Sequence, residues 1–235
     1  MSLRFRLVTG TGTEVGKTIT TAALACAESA AGRKVRVVKP VQTGLAPDER
    51  GDADEVRRLA GVEAVELVRL PEPLAPESAA RRSGAVLPTV ADLARRTAAT
   101  TRAWADGLVL VEGAGGVAVR LDSAGGTLLD LGVALQPYGQ VDVVLVVSAG
   151  LGTLNHTELS ATAIRQAGLA TAGLVIGSWP ARPDLAALVN RHDLPRLTGL
   201  PVLAVIPEGA GRLSPEQFRT DAPWAPLRAV TSRVV

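Results

Sequence analysis

A glycine-rich segment follows the first apolar run of the chain and ends in a lysine and a threonine. Residues 10–18 read GTGTEVGKT, after a predicted strand over Phe5–Thr9 and at the start of a helical pattern over Lys17–Ala30. Glycines let backbone amides turn inward around phosphate oxygens, and a helix N-terminus adds partial positive charge. Lys17 is then placed to reach the β- and γ-phosphates of a nucleotide, and Thr18 to ligate Mg²⁺.

This segment departs from the strict spacing of phosphate-binding loops. Thr11 occupies the position of the first glycine, and Gly10 lies one residue too early. An ordinary glycine-rich turn is the alternative interpretation. The strand before it, the helix after it and the intact sequence Gly16-Lys17-Thr18 favour nucleotide binding.

Charged residues also stand at the ends of two further predicted strands. Lys39 follows Val35–Val38, and Glu112 follows Leu108–Val111. A carboxylate at the tip of an apolar strand is typical of the Walker-B position that holds Mg²⁺, and a second lysine can neutralise a phosphoryl group in transfer. Asp52 is either a helix N-cap or a metal carboxylate.

A second glycine-rich turn, AGLGTLNHT at residues 149–157, follows the apolar run Val141–Val147. Such a strand-to-helix turn is again a candidate anion site. His156 lies within it but has no partner carboxylate at the spacing of a catalytic triad. We therefore expect His156 to pack or cap.

Short, continuous β-branched runs alternate with helical patterns along the chain, which predicts a parallel sheet covered on both faces. Ligands of such folds bind at the carboxyl ends of the strands. No linker or repeat divides the sequence, so we expect one α/β domain over residues 1–235, with a doubly wound sheet flanked by helices. The remaining predicted strands are Ala172–Ile176 and Val202–Ile206. The remaining predicted helices are Asp54–Ala60, Glu77–Ser83, Val90–Trp104, Leu128–Leu135 and Leu154–Ala167.

Composition excludes several classes of protein. The 235 residues are 47% hydrophobic with a net charge of +2, and the single cysteine, Cys26, excludes an internal disulfide framework. No apolar run is long enough to span a membrane, and the first residues lack a signal-peptide pattern, so we expect a cytoplasmic protein. Aromatic residues make up only 3%, and no stripe of basic residues is interleaved with them. We therefore expect neither nucleic acid nor membrane as a partner.

The motifs, taken in order, resemble those of the dethiobiotin synthetase family, within the P-loop NTPase superfamily. Besides the loop at 10–18 they include KPVxTG at 39–44, the pair Asp52-Ala53, VEGAGG at 111–116 and LGTLNH at 151–156. The resemblance implies a P-loop NTPase fold and a homodimer with its active site at the subunit interface. It implies that 7,8-diaminononanoate, CO₂ and MgATP become dethiobiotin, ADP and phosphate, through a carbamate and a carbamic-phosphoric anhydride.

The resemblance also implies a role for individual residues. It places catalysis on Lys39, Lys17, Thr13 and Glu14. It places Mg²⁺ on Thr18, Asp52 and Glu112. It places the diamine on Thr43, Lys39 and Gly116, and its tail carboxylate on Leu151, Gly152, Thr153 and Asn155 of the other subunit. It places the nucleotide on Thr13, Glu14, Val15, Gly16, Lys17, Thr18, Ile19, Asp52, Glu112, Gly113, Ala114, Gly115, Gly177, Ser178, Pro207, Glu208 and Gly209.

Two positions depart from the family pattern. Thr43 stands where serine is frequent, and the hydroxyl is kept. Gly177 stands where the family often has an asparagine that reads the adenine ring, and glycine offers no side-chain amide. Loss of a specific hydrogen bond weakens discrimination by about 1–3 kcal/mol. We therefore expect a relaxed base preference, with CTP or GTP competing with ATP.

The main alternative is a P-loop switch ATPase of the ParA/MinD kind. That group typically carries an extra lysine near the start of the loop, which is missing between Gly10 and Val15, and prolines interrupt the tail at 222–226. A cobalamin-type amidotransferase is disfavoured because no cysteine follows residue 210.

Overall fold

Seven parallel strands form a central sheet with helices on both faces in the computed structural model, which describes residues 3–220, 224 and 226–227. The strands are β1 (Leu3–Gly10), β2 (Val35–Lys39), β3 (Gln42–Thr43), β4 (Glu63–Glu66), β5 (Arg69–Leu70), β6 (Gly107–Gly116), β7 (Gln140–Val147), β8 (Ala170–Trp179) and β9 (Val202–Pro207). The α-helices are α1 (Lys17–Ala30), α2 (Asp52–Ala60), α3 (Pro76–Ser83), α4 (Val90–Ala99), α5 (Leu128–Leu135), α6 (Thr153–Gln166), α7 (Leu185–Thr198) and α8 (Pro215–Thr220).

The order of strands in the sheet is β4-β2-β6-β1-β7-β8-β9, and every neighbouring pair is parallel. The chain runs outward from β1 to β4, returns through β6, and then builds the other half of the sheet. β3 and β5 form a separate parallel pair. The prediction of a parallel, doubly wound sheet is confirmed, and the carboxyl ends of β2, β6 and β1 lie side by side.

Burial of both sheet faces explains why the strands are continuous apolar runs. Val109 and Val111 of β6 belong to one apolar cluster, whereas Leu108 and Leu110 belong to the cluster on the opposite face. All four side chains are inaccessible to solvent. Each strand therefore contributes to two cores at once.

Two glycine-rich loops at the sheet edge lead into helices that lack a side-chain cap. Gly16 precedes α1 with φ 94°, and Gly152 precedes α6 with φ 90°. By contrast, Thr127 caps α5 by accepting a hydrogen bond from the amide of Asp130. The first-turn amides of α1 and α6 are thus available to an anion.

The secondary structure differs from the sequence prediction in several elements, including the short strands β3 and β5 and the helix α8, which were not predicted. The helix predicted over Val90–Trp104 ends at Ala99, where the hydroxyls of Thr100 and Thr101 donate to backbone carbonyls and compete with the helical pattern. The helix α7 was not among the predicted helices. The edge strand β4 was missed because its sequence, EAVE, is short and acidic.

The end of the described chain packs against α2. The indole of Trp224 is buried, its ring centroid lies 4.8 Å from that of Phe218, and its Nε1 donates to the Phe218 carbonyl at 2.7 Å. Both rings share an apolar cluster with Val56 and Leu59 of α2. The proline-interrupted tail at 222–226 otherwise lies mostly outside the described residues. Within the part of the chain that the structure describes, no helix is long and apolar enough to cross a membrane.

Candidate functional site

The glycine-rich loop connects β1 to α1 at the centre of the sheet edge. Its backbone leaves β1 through a hydrogen bond from the Thr11 amide to the Val146 carbonyl at 3.0 Å. Glu14 has φ 60°, the only non-glycine with positive φ among the described residues. Such strain costs about 1–3 kcal/mol and typically occurs at functional sites, which is consistent with a loop shaped for a ligand.

The loop packs directly on the backbone of β8 at Gly177. A Cβ built on Gly177 would lie 2.1 Å from the carbonyl oxygen of Val15, and one built on Gly16 would lie 2.2 Å from the carbonyl oxygen of Gly177. Both positions therefore require glycine for this close approach. Gly177 was expected only to border the nucleotide base, and this packing role was not predicted.

Lys17 begins α1 and points back across the loop. Its side chain is buried, and Nζ donates to the carbonyl of Gly12 at 2.8 Å. Burial lowers the pKa of Lys17, and the nearby ammonium of Lys39 lowers it further, against the opposing effect of Glu112 and Asp52. Two cations face one cavity, an arrangement that a bound polyanion would relieve.

Lys39, at the end of β2, is the centre of a buried ionic cluster. Its Nζ lies 2.5 Å from Asp52 Oδ2 and 2.9 Å from Glu112 Oε1, and it donates to the Gly113 carbonyl at 3.1 Å. Thr18 Oγ1 donates to the same Glu112 oxygen at 2.8 Å. The P-loop helix, β2, β6 and α2 therefore converge on one set of atoms.

The ionic cluster overrides the cost of burial. Burial alone would lower the pKa of Lys39, but the carboxylates of Glu112 and Asp52 raise it. Burial alone would raise the pKa of Asp52, but the Lys39 ammonium lowers it. Lys39 is therefore charged at neutral pH, and Asp52 is ionised.

Gln42 holds Asp52 in place, a role that the sequence analysis missed. Its Oε1 accepts a hydrogen bond from the Asp52 amide at 3.1 Å, and its Nε2 donates to the Thr43 carbonyl at 3.0 Å. The Asp54 carboxylate accepts from the Gly51 amide at 2.9 Å and completes the start of α2. Gln42 was the unspecified position of the KPVxTG motif, and no pattern in one sequence distinguishes it.

Thr18, Asp52 and Glu112 offer a hydroxyl and two carboxylates, the hard oxygen donors that Mg²⁺ prefers. Across residues 3–220, 224 and 226–227, no group of three or more His, Cys, Asp or Glu side chains forms a metal cage. The donor set therefore fits Mg²⁺ that is completed by water and phosphate oxygens, which is the usual arrangement for this ion.

A cavity of about 790 Å³ contains this cluster. Its polar part and the backbone beside it come from predicted site residues: Thr13, Glu14, Gly16, Lys17, Thr18, Ile19, Lys39, Thr43, Asp52, Glu112, Ala114 and Gly115. The rest of the wall was not foreseen and is largely apolar: Val41, Gln42, Gly44, Pro73, Leu74, Ala75, Pro76 and Val119.

Other predicted nucleotide residues lie beside the cavity rather than in its lining. Ser178 follows Gly177 at the end of β8. Pro207 pairs with Trp179 in the sheet, and the Glu208 amide donates to the Trp179 carbonyl at 2.8 Å. Gly209 follows with φ 80°. Gly116, which was predicted to contact the diamine, is also outside the lining and pairs with Gly10 at the edge of the loop.

The turn at residues 151–155 lies on a different part of the sheet edge, after β7. Leu151 is 94% exposed, and Asn155 and His156 are exposed on the first turn of α6. Thr153 is buried instead, and its hydroxyl donates to the Ser148 carbonyl at 2.7 Å. The predicted tail-carboxylate residues therefore lie outside the cavity of their own subunit.

Comparison with known proteins agrees with this geometry. The family described as an AAA domain matches residues 5–216. A solved structure of the septum site-determining protein MinD with Mg-ADP from Pyrococcus horikoshii OT3 has a TM-score of 0.60 at 17% identity, covering 99% of this chain and 96% of that one. At this identity the likeness shows the fold alone. The family match and the fold together make the chain an α/β protein of the P-loop nucleoside triphosphatase class.

Curated relatives are much more similar in sequence. The ATP-dependent dethiobiotin synthetase of Streptomyces coelicolor is 56% identical over 92% of this chain and 89% of its own length. That of Rhodococcus jostii is 55% identical over 90% of each chain, and that of Mycobacteroides abscessus is 51% identical over 90% of each chain. The chain belongs to the ATP-dependent dethiobiotin synthetase family, as the sequence motifs predicted.

Replacing Lys39 with Gln should destabilise the unliganded protein at pH 7 by about 3 kcal/mol, because the buried Glu112 carboxylate loses its cation. The measurement is urea unfolding of wild type and variant. Lys34→Gln, at an exposed lysine, is the matched control and should change stability by less than about 0.5 kcal/mol.

The difference in stability between wild type and Lys39→Gln should become smaller at acidic pH. Lys39 lowers the pKa of Asp52 in the folded protein. The stabilisation that the ionised Asp52 carboxylate gives the folded protein is therefore present above about pH 4. It is lost as the pH falls through the pKa of Asp52 in the folded protein. The gap between wild type and Lys39→Gln should narrow below about pH 4. A gap that is absent at neutral pH, or equal in Lys34→Gln, would contradict the proposed cluster.

Proposed function

We propose that this chain is an ATP-dependent ligase of biotin biosynthesis that closes the ureido ring of dethiobiotin from 7,8-diaminononanoate and CO₂. The observation that carries the proposal is the pair of buried ammonium groups, Lys17 and Lys39, which face one cavity beside an uncapped helix N-terminus. Relatives more than 50% identical bear the name of this enzyme. A cytoplasmic location suits such a biosynthetic enzyme.

The reaction requires a poor electrophile to be activated. One amine nitrogen attacks CO₂ and loses a proton, which gives a carbamate. A carbamate oxygen then attacks the γ-phosphorus and displaces ADP, forming a carbamic-phosphoric anhydride. The second amine attacks the carbamate carbon, phosphate leaves, and the nitrogen releases its proton to solvent as the ring closes.

Phosphoryl transfer depends on positioning and charge neutralisation more than on covalent help. Lys17, at the start of α1, would neutralise the β- and γ-phosphates. Lys39, which contacts Asp52 and Glu112, would neutralise oxygens of the carbamate and of the γ-phosphate. The amides of the loop at 12–18 would bind the phosphate chain. Each group neutralises charge that grows on the oxygens during transfer.

Thr18, Asp52 and Glu112 would hold Mg²⁺, which when bound offsets negative charge on the β- and γ-phosphates. The Lys39 ammonium contacts both carboxylates and so offsets part of their negative charge. Thr13, Glu14 and Thr43 lie at the mouth of the same cavity, where Glu14 is exposed. We assign them to the diamine and to carbamate or phosphate oxygens, with the apolar wall at 73–76 beside the alkyl chain.

A homodimer would complete the site. Leu151, Leu159, Leu185, Leu188 and Val189 are exposed on the turn after β7 and on α6 and α7, which pack against each other. Burial of such an apolar face against a second copy is favourable. It would also bring the uncapped N-terminus of α6 to the partner's cavity as a site for the tail carboxylate.

The nucleotide base would lie between the ends of β8 and β9. Gly177 has no amide to read the base, and its close packing on Val15 leaves no room for one. Recognition would then come from backbone groups and from the segment at 207–209. This supports a relaxed base preference.

Phosphate release from MgATP should depend on both bicarbonate and 7,8-diaminononanoate. Lys39→Ala should reduce it at least about a hundredfold because a buried cation near the transferring group is lost. Lys34→Ala is the control and should keep wild-type turnover. Phosphate release at the same rate with and without the diamine would refute the ligase assignment and favour a switch ATPase.

The kcat/KM values for ATP, CTP and GTP should agree within about tenfold, because no side chain at position 177 reads the base. The measurement is diamine-dependent phosphate release with each nucleotide. The variant Gly177→Asn cannot be used to restore a preference for ATP, because its Cβ would collide with the Val15 carbonyl. A preference for ATP above tenfold would overturn the prediction.

Sedimentation should give a dimer for wild type and a weakened dimer for Leu188→Asp, which places a charge in the apolar face. Val86→Asp, at a residue 93% exposed elsewhere, should remain dimeric. Mixing inactive Lys39→Ala with Asn155→Ala should restore about a quarter of wild-type activity, because hybrid dimers contain one intact site. No recovery on mixing would place the whole site in one subunit.

A further inference from the structure

One arginine outside the cavity joins the helix that carries Asp52 to the turn that follows β9. Arg58 Nη2 donates to the Gly211 carbonyl at 2.7 Å, and Nη1 donates to the Leu213 carbonyl at 3.2 Å. The Glu55 carboxylate accepts from Arg58 Nε at 2.8 Å and from Nη2 at 2.5 Å. The guanidinium is therefore fixed by three partners, two of them more than 150 residues away in sequence.

The turn that Arg58 holds continues directly from the expected base site. β9 ends at Pro207, and the segment at 207–209 leads into the short 3-10 helix Ala210–Arg212. Gly211 lies against α1, since a Cβ built on it would be 2.8 Å from Ile19 Cδ1. Ile19 itself lines the cavity. The turn thus borders the nucleotide site but contributes no side chain to its lining.

α2 connects this turn to the phosphate end of the site. Asp52 is its first residue and contacts Lys39, and Arg58 follows six residues later, about 9 Å along the helix axis. A helix of this length is rigid on the scale of a hydrogen bond. It therefore fixes the distance between the ionic cluster and the turn after β9.

We propose that Arg58 is a positioning residue for the nucleotide, which holds the turn at 209–213 so that the segment at 207–209 closes on the base and ribose. The proposal rests on the nucleotide site of the proposed function. Arg58 touches neither phosphate nor substrate in this arrangement. Its loss should weaken binding of the nucleoside part and leave the phosphate-binding loop intact.

The neighbouring arginine shows why this is more than a helix-surface ion pair. Arg57 has the same chemistry on the same helix: it pairs with Asp54 and donates to the Ala64 carbonyl of β4 at 2.8 Å. It holds an edge strand rather than the turn after β9. Arg57 is therefore a matched control for the stability of α2.

The test compares Arg58→Met with Arg57→Met in the full-length protein, by calorimetric titration with MgATP and with inorganic tripolyphosphate. Tripolyphosphate occupies a phosphate loop but has no base or ribose. For Arg58→Met we expect about a tenfold weaker affinity for MgATP and an affinity for tripolyphosphate within about twofold of wild type. Arg57→Met should leave both affinities near wild type.

Steady-state kinetics provide a second readout. Arg58→Met should raise KM for the nucleotide about tenfold while kcat and KM for the diamine stay near wild type. Equal weakening of ATP and tripolyphosphate, or no weakening of either, would overturn the proposal. If Arg58→Met does not fold, Arg58→Lys keeps the charge but not both carbonyl bonds, and the same split of affinities is expected.

The outcome also separates this proposal from the ligase assignment. A wild-type protein that binds MgATP but releases no phosphate with the diamine would refute the ligase reaction and leave the role of Arg58 to be decided by the same titrations. A wild-type protein that binds neither MgATP nor tripolyphosphate would refute both.

Discussion

The site depends on the ion pairs that the Lys39 ammonium makes with two carboxylates. The ammonium binds Asp52 of α2 and Glu112 of β6 at once, so the ends of two neighbouring strands and one helix are tied to a single atom. Removing a charge from water is costly, and this burial is offset only because two carboxylates and the Gly113 carbonyl surround it. Such a cluster specifies geometry more than it adds stability: the same contacts that neutralise Lys39 place the oxygens that would hold Mg²⁺.

The second constraint is the close packing of two backbones. Gly177 and the Val15–Gly16 peptide approach so closely that neither glycine tolerates a Cβ. The phosphate loop is therefore held by β8 as well as by β1 and α1. This packing explains why position 177 carries no side chain.

Much of this arrangement could be predicted from the sequence because it is local. Strand runs, the glycine-rich loop and the charged strand ends fix the parallel sheet and place Lys17, Lys39 and Glu112 at one edge. What could not be predicted depends on contacts between distant segments. Gln42 acts through the Asp52 amide, and Arg58 through carbonyls more than 150 residues away. Neither contact leaves a pattern in residue type or spacing, since a single glutamine or arginine does not by itself indicate a role.

The charges around the two lysines of the cavity differ. Within the described residues that line the cavity, Lys39 is paired with two carboxylates, whereas Lys17 donates to a backbone carbonyl and has a pKa lowered by burial. A triphosphate would therefore find its strongest attraction at Lys17 and the loop amides. Lys39, held by Asp52 and Glu112, would supply positive charge beside the carbamate and the γ-phosphate. The two ammonium groups would thus act on different parts of the transfer, Lys17 on the phosphate chain and Lys39 on the oxygens that react.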